Sequence, residues 1–355
     1  MSEMKEMILE VVEKMFKKTV DKETVDLAEN GHWAESVWQI LKDNEILNVA
    51  VSESAGGAGG DIDDLLSLYQ LVGKYAVPIP FTETTLSNYI LESYQLAISN
   101  DSITYCLPQT SLVMNDDQTI SGTLINVPWA RHVKEILAFA HSSEGVFPVR
   151  LSLKEATIHP NTNLAGESRD TVTFNQSKSL QVQSTPLSDD QLQDLNTIDT
   201  AAKNALMCGA IEKAFLLSVQ FAKEREQFGR PIHRFQLVQQ HLALLAGEQA
   251  IASSSLENMI AALLEGREQN EVAYTRIRLD EASRIVSTSA HQVHAAIGVT
   301  HEHSLHQYTR RLWSWREEGL TANHWKKVVA NTLLTTPFDD LWSYLTDSEK
   351  IFTTN

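Results

Sequence analysis

Residues 225–236 read Arg-Glu-Gln-Phe-Gly-Arg-Pro-Ile-His-Arg-Phe-Gln and separate two long stretches of helical periodicity. Pro231 cannot continue a helix and Gly229 permits a sharp reversal, so the segment is expected as a helix–turn–helix corner. The corner gathers a cationic head, aromatic rings and amides. Arg225, Gln227 and Gln236 form a fixed set of donors suited to phosphate and ribose hydroxyls. A surface corner of solvated arginines is the plainer alternative, because a short motif is weak evidence alone.

Around the corner the texture is helical from Asp190 to about Trp342. Four segments stand out, 197–226, 235–265, 270–296 and roughly 303–318, and their short connections imply antiparallel neighbours in an up-down bundle. Upstream, between about 99 and 186, short β-branched runs (Ile103–Leu107, Ile136–Ala140, Val146–Leu153, Thr171–Phe174) alternate with Asn, Asp, Gly and Pro. That is the pattern of a small antiparallel β domain. Ser184 to Asp190 is expected as a linker and helix cap.

The chain opens on Met4, Ile8, Val11 and Met15 at helical spacing, an amphipathic first helix. A second helical pattern surrounds Trp38, Ile40 and Leu41. Ser-Ala-Gly-Gly-Ala-Gly-Gly (residues 54–60) is no phosphate loop, since no Gly-Lys-Ser/Thr follows. It is expected as a flexible turn before a helix starting near Asp61, whose acids suit a helix N-terminus. Val-Pro-Ile-Pro-Phe (77–81) breaks the next helical run. The fold class is therefore α+β, mostly α: an N-terminal helical domain (1–98), a small middle antiparallel β domain (99–188) and a C-terminal four-helix bundle (189–355).

Composition narrows the partners. A net charge of −17 argues against nucleic acid and against an anionic membrane surface, so an anionic ligand must be captured by local positive groups. Two cysteines, Cys106 and Cys208, are too few for a disulfide framework or a zinc site, which points to a reducing cytoplasm. Acids and lysines from residue 3 onward do not read as a signal or transit peptide. No run of about 18 apolar residues is present, so no membrane span is expected.

The corner resembles the Arg-x-x-Phe-Gly-x-x-Ile-x-x-x-Gln segment of the acyl-CoA dehydrogenase family, and the α, β, four-helix-bundle order is similar to that family's architecture. The resemblance implies FAD as cofactor, an acyl-CoA thioester as substrate and an electron-transfer flavoprotein-like acceptor. It implies that Arg225, Gln227, Phe228, Ile232, Phe235 and Gln236 hold the ADP half of FAD across a subunit interface. His291-Gln-Val-His-Ala-Ala-Ile-Gly298 looks like the family's Gln-x-x-Gly-Gly-x-Gly segment, which contacts the FAD of the neighbouring subunit. Gln292 matches, while Ala295 and Ala296 stand where the glycine pair is expected and add a Cβ at a close approach. Gln292 and Ala296 join the implied cofactor-binding set.

Trp313-Ser-Trp-Arg-Glu-Glu-Gly-Leu320 is similar to the family's Tyr-Glu-Gly-Thr run with a one-residue deletion. The resemblance makes Glu318 the base that takes the α-proton, with Glu317 as runner-up. A carboxylate in an apolar pocket suits that task. A solvated pair of helix-end acids is the plainer reading. The family's alternative base position falls near Asp199, a short side chain close to a helix start. His291, His294, His301, His303 and His306 crowd one stretch, yet no cysteine or paired carboxylate completes a ligand set. No metal is expected.

In the β domain the chain departs from the family. Tyr105-Cys-Leu-Pro-Gln109 stands for Tyr-Cys-x-Thr-Glu, and Asn126-Val-Pro128 for Trp-x-Thr. Proline offers no donor from side chain or backbone, so the flavin-ring contacts are lost at two positions. Asn163-Leu-Ala-Gly-Glu-Ser-Arg-Asp170 resembles an actinobacterial-type subgroup, some of whose members are heterotetramers in which a degenerate subunit completes the site. The leading expectation is an FAD-dependent acyl-CoA dehydrogenase subunit, in a homodimer, homotetramer or heterotetramer, performing α,β-dehydrogenation. The alternatives are a catalytically degenerate partner subunit that binds no flavin and an acyl-CoA oxidase-like flavoenzyme.

Overall fold

The structure, a computed structural model, describes residues 3–266, 268–337 and 339. Trp342 and the rest of 340–355 lie outside the described residues. The chain divides into two compact units, with the division between Asn196 and Thr197.

The first unit begins with five helices: α1 (Glu3–Thr19), α2 (Lys22–Glu29), α3 (Glu35–Asp43), α4 (Ile62–Tyr75) and α5 (Phe81–Ser93). In α1 the buried apolar side chains are Val12 and Phe16, while Val11 is exposed. The core face is thus rotated about one residue from the Ile8–Val11–Met15 stripe, and the Met4 side chain lies outside the described residues. Two adjacent apolar stripes compete on this helix, and the one with the aromatic residue is buried, Phe16 meeting Tyr75 of α4 at 6.1 Å between ring centroids.

Asp61 caps α4 as its acids suggested. Its carboxylate accepts the N–H groups of Asp63 and Asp64, and the Asp64 side chain accepts the N–H of Asp61, a complete capping box. The preceding glycine-rich segment is not the flexible turn expected. Its backbone is tied by Gly57 to Ser52, Ala58 to Asn48, Gly59 to Val51 and Gly60 to Val49, each N–H donating to a carbonyl. A Cβ on Gly57 would stand 2.2 Å from the Val51 carbonyl oxygen, so close backbone packing requires the glycine.

Seven strands follow: β1 (Ile103–Tyr105), β2 (Leu112–Met114), β3 (Thr119–Pro128), β4 (Glu135–Ser142), β5 (Gly145–Ser152), β6 (Thr157–His159) and β7 (Arg169–Val182). Their order is β1-β4-β2-β3-β7-β5, and β5 also pairs with β4, so five strands close into a ring with β1 and β6 attached. The sheet is antiparallel except that β1 and β2 both run parallel to β4. Leu112, Ile120, Leu124, Ile136, Ala138, Val149, Val172 and Phe174 fill the interior. Asp170 is fully buried and pairs with Arg131, accepting also the backbone N–H groups of Arg131 and Asn161 and the Ser168 hydroxyl. Burial works against its charge, but these donors win and hold its carboxyl below the usual carboxylate range.

α6 (Asp189–Glu224) leads into the second unit, which continues with β8 (Glu226–Gln227), β9 (Arg230–Pro231), α7 (Gln236–Leu264), α8 (Glu268–His294), α9 (Leu305–Trp315) and α10 (Ala322–Thr335). The four expected bundle segments are found, and α10 is a further helix packed on α8. α6 is long and apolar enough to cross a membrane by length and composition. Yet 56% of its apolar window is buried inside the protein, as suits a core helix. Ala205, Cys208 and Ile211 of α6, Leu245, Leu256 and Met259 of α7, and Val272, Leu279 and Val286 of α8 make the core of this unit. Each buried Leu, Ile, Val or Met side chain contributes about 1.5–3 kcal/mol. Asn204, buried inside this core, donates from its amide nitrogen to the Val272 carbonyl at 3.2 Å, while its Oδ1 has no hydrogen-bond partner among the described residues.

Candidate functional site: an exposed corner and a pinned acidic turn

The corner at 225–236 joins α6 to α7 as expected, and the turn between the helices is a two-stranded hairpin. Glu226 pairs with Pro231 and Gln227 with Arg230, and Ile232 N–H donates to Arg225 O at 2.8 Å. Phe228 and Gly229 form the two-residue loop, both with positive φ (53° and 75°), the backbone of a type I′ turn. α6 ends at Glu224, seven residues before Pro231, which instead sits in the short ladder opposite Glu226.

The hairpin is held at its base and open at its tip. Ile232 is buried and anchors the corner to the unit. Phe228 is 93% exposed and meets Phe235 edge-on at 6.1 Å, while the Arg230 guanidinium lies 4.3 Å over the Phe235 ring. Arg225, Gln227 and Gln236 are exposed, and the Arg225 guanidinium has no hydrogen bond or ion pair among the described residues. The predicted donors thus stand together and unspent. Ile232 is the member of the predicted set that faces inward.

Gln292 lies near the end of α8, exposed, with Ala295 and Ala296 exposed just beyond. Ala295 has φ 52°, a left-handed backbone that glycine adopts freely. The two predicted segments are tied through rings: Phe221, four residues before Arg225, stacks on His294, two residues after Gln292, at 4.4 Å and 22°. His303 stands 4.5 Å from His294. His294 is buried, its Nδ1 paired with the Ala290 carbonyl at 2.8 Å. Burial pushes its pKa down to about 4, so it is neutral at physiological pH. His291 instead stacks on Trp313 and meets the Thr309 hydroxyl at 3.1 Å.

The acidic turn follows α9. Glu317 is exposed and Glu318 half-buried. The turn is pinned by Arg276 of α8, which is fully buried. Its Nη2 donates to the carbonyls of Trp315, Arg316 and Glu318 at 2.7, 3.0 and 3.0 Å. Three carbonyls at a helix C-terminus are thereby satisfied by one cation, where the helix dipole favours positive charge. Asp280, one turn along α8, pairs with the Arg316 side chain at 2.9 Å. Beside the turn, buried Asp199 of α6 is ion-paired with Lys203. A Cβ on Gly319 would stand 2.7 Å from the Asp199 carboxylate. The alternative base position and the Glu318 turn therefore adjoin, with a lysine engaging the aspartate. Arg276 escaped sequence reasoning because the carbonyls it holds lie about forty residues away, and Lys203 because an i,i+4 pair with Asp199 forms no motif.

The β-ring offers little to a flavin ring. Gln109 spends its amide on the backbone of Ile125, donating to its carbonyl at 3.0 Å and accepting its N–H at 3.1 Å, and also reaches the Cys106 sulfur. The Cys106 N–H is engaged by the Leu137 carbonyl. Pro108 and Pro128 donate nothing. Asn126 sits exposed at an irregularity of the β3–β7 ladder with φ 56°. A separate cavity of about 340 Å³ in the first unit, lined by Trp38, Asn48, Thr84 and Asn88 among others, includes none of the predicted site residues.

Residues 2–94 match the acyl-CoA dehydrogenase N-terminal domain and residues 200–317 the acyl-CoA dehydrogenase C-terminal domain. With the helical, β-ring and helical order described above, this chain belongs to the acyl-CoA dehydrogenase family. Acyl-CoA dehydrogenase IpdE2 of Mycolicibacterium smegmatis is 26% identical over 317 residues, covering 88% of this chain and 93% of the relative. Among solved structures, the ChsE4-ChsE5 complex from Mycobacterium tuberculosis superposes with TM-score 0.84 at 19% identity, over 95% of this chain and 99% of that one. The structure of PigA with FAD and proline gives TM-score 0.80 at 15% identity, over 94% and 98%. Family members are oxidoreductases, FAD is the cofactor bound by homologues of this fold, and the mycobacterial relatives support the actinobacterial-type subgroup.

Proposed function

We propose that this chain is the flavin-incomplete subunit of a heteromeric, FAD-dependent acyl-CoA dehydrogenase of the cytoplasm, acting on an acyl-CoA thioester. The observation that carries this reading is a contrast within one chain. The hairpin corner presents Arg225, Gln227 and Gln236 unspent, while the β-ring has two prolines and an engaged glutamine at the positions a flavin ring needs. The corner fits the ADP half of FAD: a guanidinium for the diphosphate, amides for ribose hydroxyls and exposed aromatic surface for the adenine. The β-ring of this chain does not fit the flavin ring.

A bound FAD would supply the acceptor for the hydride of the substrate's β-carbon. This chain's contribution is to grip the ADP end of a flavin seated in a partner subunit, with Gln292 beside it. Proton abstraction is then the partner's task. An electron-transfer flavoprotein-like protein is the acceptor.

The second reading keeps a complete site in this chain, with Glu318 as base, and one observation favours it: Arg276 fixes the backbone of the turn that carries Glu318. Two substitutions in the co-purified complex separate the readings. Arg225→Ala is expected to lower bound FAD at least tenfold at limiting cofactor, the loss of a charge-assisted contact. Glu318→Gln is expected to leave turnover within about twofold. Turnover lost on Glu318→Gln establishes the second reading, and full FAD retention by Arg225→Ala leaves a structural subunit that touches no flavin. Oxygen consumption in place of transfer to a carrier would identify an oxidase.

A further inference from the structure

The cavity of about 340 Å³ in the first unit lies between the C-terminal end of α3, the middle of α5 and the residues that lead into β1 and β4. Its volume is within the range of small-molecule sites. The floor is held by a fixed amide ladder. Asn88, 1% exposed, donates to the Ser99 carbonyl at 3.2 Å and accepts the Ser99 N–H at 2.9 Å, which sets the direction of its amide. Its nitrogen also donates to Asn48 Oδ1 at 2.9 Å. The Asn48 oxygen is thereby spent, and its Nδ2 has no acceptor among the described residues. On the other side, the backbone of Gly57 and Ala58 is tied to Ser52 and Asn48.

Two opposite charges line this cavity without meeting. Lys42, in the last turn of α3, and Glu45, just beyond that helix, pair neither with each other nor with any other described residue. The remaining charges of the lining, Lys134 and Asp101, are closed on one another at 2.7 Å. Glu45 also holds a left-handed backbone with φ 58°, a conformation that glycine adopts freely and other residues adopt at a cost. The turn therefore favours glycine, and no described residue uses the carboxylate that stands there. Trp38, Leu47 and Ala58 give the cavity an apolar wall.

We propose that this cavity binds a free α-amino acid with an apolar side chain. Charge selects the ligand. A lone anion would answer Lys42 and leave Glu45 unmatched, a lone cation would do the reverse, and a zwitterion answers both. The carboxylate of the ligand meets Lys42 and the Asn48 amide N–H, and its ammonium meets Glu45. The side chain of the ligand lies along Trp38, Leu47 and Ala58, where its burial adds to affinity. The cavity shares no residue with the hairpin corner, Gln292 or the Glu318 turn, so the inference stands whichever subunit seats the flavin.

Titration calorimetry and thermal melting of the full chain, alone and in the assembly with which it co-purifies, test this with leucine, methionine and phenylalanine as probes. At least one of the three is expected to bind and to raise the melting temperature at concentrations up to about 5 mM. Its amide, which lacks the carboxylate, and its N-acetyl derivative, which lacks the ammonium, are expected to bind about tenfold more weakly or worse. Lys42→Met and Glu45→Gln should each weaken binding by about the same factor while the unliganded chain keeps its circular dichroism. Glu45→Gly should lose binding and melt, without ligand, no lower than the parent chain, because glycine suits the backbone at this position. No binding by any of the three amino acids, a derivative that binds as tightly as its parent, or unchanged affinity in any of the three variants overturns the proposal.

Discussion

Gln109 grips the backbone of Ile125 with both ends of its amide, donating to the carbonyl at 3.0 Å and accepting the N–H at 3.1 Å. The segment after β1 is thereby tied to β3 across sixteen residues of chain. With its second N–H on the Cys106 sulfur, this amide has no donor left to offer a cofactor. The account predicts that Gln109→Leu costs about 1 kcal/mol of stability in urea denaturation, since both Ile125 groups can turn to water. The same substitution leaves the FAD content of the assembled complex unchanged.

Arg276 satisfies three carbonyls from a fully buried position, so its loss is costly. Arg276→Met is expected to destabilise the chain by on the order of 3 kcal/mol, because carbonyls are left without donors. Hydrogen exchange should accelerate at the amides of Glu317, Glu318 and Gly319 beyond the global change. Arg276→Lys should recover only part of the loss, since one ammonium cannot reproduce the planar fork. Equal exchange rates in the two variants and the parent chain would remove Arg276 from the turn.

His294 supplies a pH signature. Burial takes its pKa from 6.5 to about 4, with the Ala290 carbonyl pulling weakly the other way. Between those values the unfolded chain holds a proton at this position that the folded chain does not, so acid favours unfolding. Stability falls as pH drops through this window, by on the order of 3 kcal/mol from this group. His294→Phe preserves a ring against Phe221 and cannot titrate. The difference in unfolding free energy between the parent chain and this variant should shrink by that amount from pH 7 to pH 4. Parallel curves would show that His294 is not the group involved.

What could be read from the sequence follows a physical boundary. The helix, strand and helix textures were legible because periodicity is a local signal, as were the Asp61 cap and the reversal at Gly229 and Pro231. The hairpin was not. Its loop places Phe228 at positive φ, a conformation for which the usual signal is Asn-Gly or Asp-Gly. β3 was hidden because Gly122, Asn126 and Pro128 interrupt its alternation. The pinned turn was illegible for another reason: Arg276 and the carbonyls it holds are about forty residues apart, and nothing local marks either as the other's partner. The glycine-rich segment looked flexible because composition shows freedom, whereas its backbone bonds to Asn48, Val49, Val51 and Ser52 show constraint.

The most direct test of the central claim is the visible absorbance spectrum of the purified chain, taken alone and after co-expression with a second acyl-CoA dehydrogenase chain. The account predicts a colourless protein alone and a yellow complex that loses its flavin on Arg225→Ala. A chain that is yellow by itself, with stoichiometric FAD and turnover of an acyl-CoA, would contradict it.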